Sequence, residues 1–217
     1  MANIDCAASL QLCALRVARL EPDGVPDPGA GNVYTTDALI LLTPTAVYTE
    51  GDDLEQKNGC GSVCISFKDC DRFKRVDAEL QLCAPDPELH ELLLGGDLIT
   101  SGANTIGFAM PEVGGTTCPN GVSIEAWTKA WDGDAQATDM PYWRFVMPRT
   151  YWKLGARNLE NAFMTNPLTG FGVQNPNFFD GPANDVPDTD ISHRALYWFR
   201  DDSLPTVDCG ANTLVAS

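Results

Sequence analysis

Residues 66–96, SFKDCDRFKRVDAELQLCAPDPELHELLLGG, hold the pattern that most constrains how this chain folds. Val76, Ala78, Leu80 and Leu82 put an apolar residue at every second position, with Asp77, Glu79 and Gln81 between them. A period of two belongs to a strand with one face on a core. A helix follows at once. Asp86 is a capping side chain, Pro87 suits the first helical position, and Glu88 sits where the positive end of the dipole favours an acid. Leu89, Leu92 and Leu93 make an apolar stripe, and Gly95-Gly96 stop the helix.

Elsewhere strands dominate. Cys13, Leu15 and Val17 alternate with Ala14, Arg16 and Ala18 in a first strand. The turn-rich residues 21–33 predict a mobile surface loop. A second strand is expected over 35–48, with Pro44 bending it or placing it at a sheet edge. Residues 50–61 read as a long polar loop in which Glu50, Asp52, Asp53 and Glu55 precede Lys57. Short strands follow at Ile99 and over 106–110, and then a glycine-rich loop over 114–121. Residues 122–129 and 142–153 predict two longer strands, the second interrupted by Pro148. Residues 157–164 fit a helical turn or a strand equally. Residues 165–193, with Pro167, Pro176, Pro182 and Pro187, read as a long loop. Residues 195–200 suggest a closing strand, and 203–217 an arm without strong pattern. The expectation is a single, mainly β domain over 1–217: a β-sandwich or partly closed β-barrel with one flanking α-helix.

The chain has 217 residues, 44% hydrophobic and 20% charged, an ordinary globular balance. No apolar run is long enough to cross a bilayer, and the start, MANIDCAASL, lacks the basic and apolar blocks of a signal peptide. Folding in a cytoplasm is therefore expected. Thirty acids against fourteen bases give a formal charge of −16, which argues against ordinary nucleic-acid binding through phosphate contacts. It does not argue against DNA passing nearby, since a pore in which DNA slides should repel phosphate.

Eight cysteines stand at 6, 13, 60, 64, 70, 83, 118 and 209. The cluster CGSVCISFKDC has spacings of three and five residues, unlike the paired two-residue knuckles of structural zinc sites. Disulfides are open to the chain in an oxidising setting. The favoured expectation is buried thiols acting as small apolar side chains.

Catalytic fingerprints are missing. There is no G-x-S-x-G turn, no phosphate-binding G-x-x-x-x-G-K-[ST] loop and no H-E-x-x-H helix. His90 and His193 have no visible activating partner, and the acid pairs Asp52-Asp53 and Asp201-Asp202 lack the oxygen spacing of a calcium loop. The expectation is a protein that is not an enzyme and needs no cofactor or metal. Trp127, Trp131, Trp143 and Trp152 fall on two neighbouring predicted strands, either as a core cluster, which is favoured, or as an aromatic platform for a glycan.

The order of these pieces resembles the major tail proteins of long-tailed, non-contractile phages of actinobacteria. In that family a lysine-arginine pair opens the strand, and an aspartate-proline pair opens a leucine-rich helix that ends in glycine. Here those are Lys74-Arg75, Asp86-Pro87 and Gly95-Gly96. The opening, with RVARLEPDG and EGDDLEQKNG, is similar to the family's too; the match is close over roughly residues 1–100 and loose over 121–200.

The resemblance implies a virion structural protein, the tail-tube subunit. Its subunits would form a sixfold ring with a joint inner β-barrel, and the rings would stack into a channel for DNA and the tape-measure protein. Tail terminator and distal tail proteins would sit at the ends, assembly would occur in the host cytoplasm, and no membrane would be involved. The loop at 50–61 would order on ring stacking, making Glu50, Asp52, Asp53, Glu55 and Lys57 inter-ring contacts. Together with the net charge, the resemblance suggests a negative channel wall, with Asp77, Glu79 and Glu125 as candidate lining acids. The rival expectation is a β-sandwich adhesin or decoration domain presenting aromatic residues to a glycan.

Overall fold

The computed structural model describes residues 7–83, 86–115, 120–157, 165–178, 193–207 and 210–212. Among the described residues the fold is mainly β with one short helix. In chain order the strands are β1 Ala8–Arg19, β2 Val33–Thr36, β3 Leu39–Thr49, β4 Asp53–Lys57, β5 Val63–Lys68 and β6 Arg72–Leu82. After α1 Pro87–Leu94 come β7 Asp97–Ser101, β8 Asn104–Ala109, β9 Val122–Asp132, β10 Ala135–Gln136, β11 Tyr142–Leu154, β12 Asn166–Val173, β13 Tyr197–Asp201 and β14 Gly210–Asn212. Ten strands form one antiparallel sheet in the order β14-β2-β1-β9-β11-β12-β6-β3, with β10 on β9 and β13 on β11. Two hairpins, β4-β5 and β7-β8, stand outside it. Although β3 and β1 are far apart in that order, they also touch, so the sheet curls around its apolar side. No helix among the described residues is long and apolar enough to cross a membrane.

The alternation in β6 has the predicted result. Val76, Ala78, Leu80 and Leu82 are buried in one core with Leu15, Val17, Ile124, Met147 and Leu168. Helix α1 packs on the same core through Leu89, Leu92, Leu93 and Leu94. Its ends follow the local chemistry. The Asp86 carboxylate accepts from the amides of Glu88 (3.0 Å) and Leu89 (3.2 Å), satisfying two donors that a first turn leaves free. Gly95 and Gly96 take φ of 69° and 97°, and the Gly95 amide bonds the Glu91 carbonyl. Burial of each leucine contributes roughly 1.5–3 kcal/mol.

Four expectations need correction. The predicted second strand is two strands at opposite ends of the sheet, β2 beside β1 and β3 beside β6. The chain turns between them where the Thr36 hydroxyl accepts from the Ala38 amide. Pro44 does sit on an edge strand, since β3 ends the sheet. The predicted loop at 165–193 begins with β12, an interior strand paired with β6 and β11. Its glycines mark close approach: a Cβ on Gly170 would lie 2.7 Å from the Trp152 ring. The loop at 21–33 is tied down. Asn175 donates to the carbonyls of Gly24 and Pro148, and Asn177 donates to that of Asp23. Within the supposed arm at 203–217, residues 210–212 form β14 on β2. Residues 158–164 and 179–192 lie outside the described residues.

The cysteines also depart from expectation. Of the five described, Cys60, Cys64, Cys70 and Cys83 are exposed, Cys13 is half-buried, and all five are free thiols. Cys60, Cys64, Cys70 and Cys83 occupy turns, a strand end and the exposed hairpin, and Cys13 lies half-buried within β1, so none of the five is fully buried packing.

Candidate functional site

Three places hold the residues singled out by sequence. The first is the projecting hairpin, where the supposed loop at 50–61 carries β4 and the turn into β5. Pairing runs Asp53 with Lys68, Leu54 with Phe67, Glu55 with Ser66 and Gln56 with Ile65. Every residue of both strands is exposed. Glu50, Asp52, Asp53, Glu55 and Lys57 therefore all face solvent in the subunit, and Lys57 pairs with Glu55 at 3.2 Å. Leu54, Ile65 and Phe67 fall on one side of the ladder by the period of two, and they are 64%, 63% and 56% exposed.

The base of the hairpin is well bonded. The Asp69 amide donates to the Asp52 carbonyl (2.9 Å), and the Gly51 amide donates to the Asp71 carboxylate (3.1 Å). A Cβ on Gly51 would lie 2.3 Å from the Asp69 carbonyl oxygen, so only glycine fits. Tyr48 and Phe73 pair edge-to-face across the neighbouring strands, centroids 5.9 Å apart, and both rings are exposed. Sequence reasoning found the acids here but missed the apolar face. Its signal is the alternation Val63, Ile65, Phe67 just past the supposed loop.

The second place is the outer face of β3, β6, β12 and β11. Here Asp77 stands between Thr45 and Phe171, and Glu79 between Thr43 and Thr169. Tyr151 and Lys153 complete the two rows. Together they line a shallow cleft of about 630 Å³. Arg75 bonds Asp77 at 2.6 Å and lies over the Phe171 ring, so this acid is neutralised locally. Glu79 is exposed. The face thus mixes Asp77 and Glu79 with Arg75 and Lys153.

Glu125 is elsewhere, and here the structure corrects the expectation of a lining acid. It is 1% exposed, on the other face of β9 from the core residues Ile124 and Ala126. Arg16 on β1 grips it with two bonds of 2.9 Å, and Arg144 on β11 bonds one of its oxygens through both Nε (2.7 Å) and Nη2. Asp201 on β13 adds a second acid, 3.5 Å from Arg144 and accepting from the Trp127 indole at 3.1 Å. The Trp127 ring carries both guanidiniums, at 5.3 and 5.1 Å. Burial alone pushes the Glu125 carboxyl up, but Arg144 and then Arg16, with their hydrogen bonds, outweigh it and hold the carboxyl below its usual 4.5. This is a buried four-charge cluster that joins four strands, not a wall.

The tryptophans divide. Trp127 and Trp152 are buried, and the Trp152 indole donates to Thr150 at 2.8 Å. β9 and β11 are indeed neighbours. Trp198, which sequence reasoning passed over, is the exposed one, stacked on Phe145.

His90 is buried on α1. Its Nδ1 lies 2.6 Å from the Asp86 carbonyl and its Nε2 2.7 Å from the Arg157 guanidinium. A carbonyl only accepts and a guanidinium only donates, so the ring is neutral with its proton on Nδ1. Burial, with Arg157 adding to it against the Asp86 contacts, lowers its pKa from 6.5. Both ring nitrogens of His90 are engaged. Among the described residues no three His, Cys, Asp or Glu side chains converge as metal ligands.

No protein-family model matches the chain, and no curated protein matches it.

Proposed function

We propose that this protein is the tail-tube subunit of a long-tailed, non-contractile phage, a structural protein that works by self-assembly. The observation that carries the proposal is the surface a single copy leaves uncovered. A two-stranded hairpin is marginal in water by itself, yet β4-β5 stands outside the sheet with an apolar face open. Beside it β3 ends the sheet as an edge of eleven residues, with Ile40, Leu41 and Tyr48 exposed. An edge of that length is a template for another chain. A closed ring of copies removes the edges, and head-to-tail stacking of rings covers the hairpins.

In this proposal the ring is sixfold, and the β3-β6-β12-β11 faces join into the inner barrel around a lumen for DNA and the tape-measure protein. Terminator and distal tail proteins close the ends. Asp77 and Glu79 remain as lining acids, now beside Arg75 and Lys153, while Glu125 is withdrawn from that role. On this face two acids stand beside two bases, so repulsion of phosphate rests on the net charge of −16 of the whole subunit and not on the face alone. The second candidate, a module presenting aromatics to a glycan, draws support from the exposed Trp198 and the exposed Tyr48–Phe73 pair.

Electron microscopy of the concentrated protein tests the proposal. Rings or tubes are expected; a monomer at every concentration contradicts it.

A further inference from the structure

The apolar interior of the curled sheet is filled unevenly. Helix α1 covers part of it, packed on β1 and β11 with its leucines in the core. Away from the helix a cavity of about 190 Å³ lies between β1, β3, β9 and β11. Leu12, Leu42, Pro44, Ala126, Met147 and Leu196 form its apolar walls. Phe145 also lines it, with the exposed Trp198 stacked on that ring. Among the described residues its polar lining side chains are Ser9 and Thr128, whose hydroxyls bond each other at 2.6 Å. Ser9 is exposed and Thr128 half-buried, which sets this pair at the mouth.

Two further features mark this place. The ladder of β1 on β9 slips between Leu10 and Leu12 and again between Leu12 and Ala14. Between the slips Gln11 takes φ of 59°, a left-handed conformation uncommon for a residue with a side chain. The Lys129 ammonium donates to the Gln11 side-chain oxygen at 2.9 Å and holds the bulge in place. Bulges and strained residues of this kind concentrate at barrel rims and ligand sites. The second feature is the seam where β1 and β3 touch without being neighbours in the sheet order. Pro44 has no amide proton with which to close it. Mouths of curled and closed sheets are common places for small ligands, which take an apolar lining with a few placed polar groups.

An apolar cavity of about 150 Å³ stays dry and admits benzene. The cavity here is somewhat larger and adds a hydroxyl pair. One hydroxyl of the pair donates to the other, which leaves a second proton and further lone pairs for a third group. We propose that this cavity is a binding site for a small phenol, its ring against Ala126 and Met147 and its hydroxyl on the Ser9–Thr128 pair. The site needs no second copy and does not rest on the tube.

The test titrates phenol, and separately toluene, into the dilute full chain and follows the methyl resonances of Ala126 and Met147 by NMR. In wild type these should shift and saturate with phenol, while the methyls of Leu89 and Leu93 on α1 stay in place. Thr128→Val removes one hydroxyl at nearly constant shape. It should weaken phenol by about threefold to tenfold, the worth of one hydrogen bond, and leave toluene within about twofold. Ala126→Leu fills the cavity and should abolish both. Leu42→Phe fills it from the facing wall and reads the same outcome if the first variant does not fold. Shifts that never saturate, phenol affinity unchanged in Thr128→Val, or saturable binding that survives a folded filling variant would each overturn the proposal. So would binding that is present in the dilute subunit and lost in the sedimenting fraction, because a side chain of a second copy would then own the cavity.

Discussion

The curled sheet and the β4-β5 hairpin are both built from alternating strands, yet they end in opposite states. In β6 the apolar alternate residues Val76, Ala78, Leu80 and Leu82 are all buried. In the hairpin Leu54, Ile65 and Phe67 all remain in water. Alternation specifies that a strand has an apolar face; it does not say which molecule covers it. For β6 the cover is α1 and the opposing strands of the same chain. For the hairpin the described residues supply no cover, and in the proposed tube a second copy does.

That contrast is sharpest where a change strikes the buried side. Leu92→Asp places a charge in the core cluster, at a cost of several kcal/mol, since an unpaired buried ion is strongly unfavourable. Loss of soluble, folded protein is expected by circular dichroism. A variant that melts like the parent would mean α1 is not packed as described.

Next in size is the charge cluster. Glu125→Gln leaves two guanidiniums without their shared carboxylate, and removing one partner of a buried pair costs roughly 3–5 kcal/mol. A lowered denaturant midpoint reads this. The acid dependence has a definite sign. Because the folded carboxyl titrates below 4.5, its contribution is fully present above pH 4.5 and is lost as pH falls through the folded value. Stability that does not fall in that range, or falls equally in the Gln variant, breaks the assignment.

His90 should give a smaller slope at higher pH. Its folded pKa lies below 6.5, so the unfolded chain takes up the proton first. Stability is expected to be level above pH 6.5 and to decline as pH drops below it. In His90→Gln that part of the slope should vanish.

The smallest effect on stability is predicted for the hairpin. Leu54→Ser combined with Phe67→Ser should move the folding free energy by no more than about 0.5 kcal/mol, as expected for solvated positions. The same pair should stop assembly in sedimentation. A large loss of stability instead would mean the hairpin packs on its own subunit.

The parts legible in the sequence are those set by neighbours along the chain. Asp86-Pro87 and Gly95-Gly96 act within a turn of the helix they bound, and the β6 period is local. What was hidden depends on distant partners. Glu125 looks like a solvent-side acid from its place between Ile124 and Ala126; only the arrival of Arg16 and Arg144 on the flanking strands, with β13 beyond, buries it. β12 was hidden because glycine weakens a strand signal, while the reason for Gly170 is a tryptophan on another strand. The cleft beside Asp77 and Glu79 exists only once β3, β6, β12 and β11 are side by side.

Amide hydrogen exchange of residues 53–68, compared between dilute and concentrated protein, tests the central claim most directly. The claim that a second copy covers the hairpin predicts fast exchange in the dilute subunit, as for a marginal two-stranded unit. It predicts strong protection in the sedimenting fraction, with β6 and α1 protected in both. Equal exchange of the hairpin in the two samples, at concentrations where the protein sediments as large particles, would contradict it.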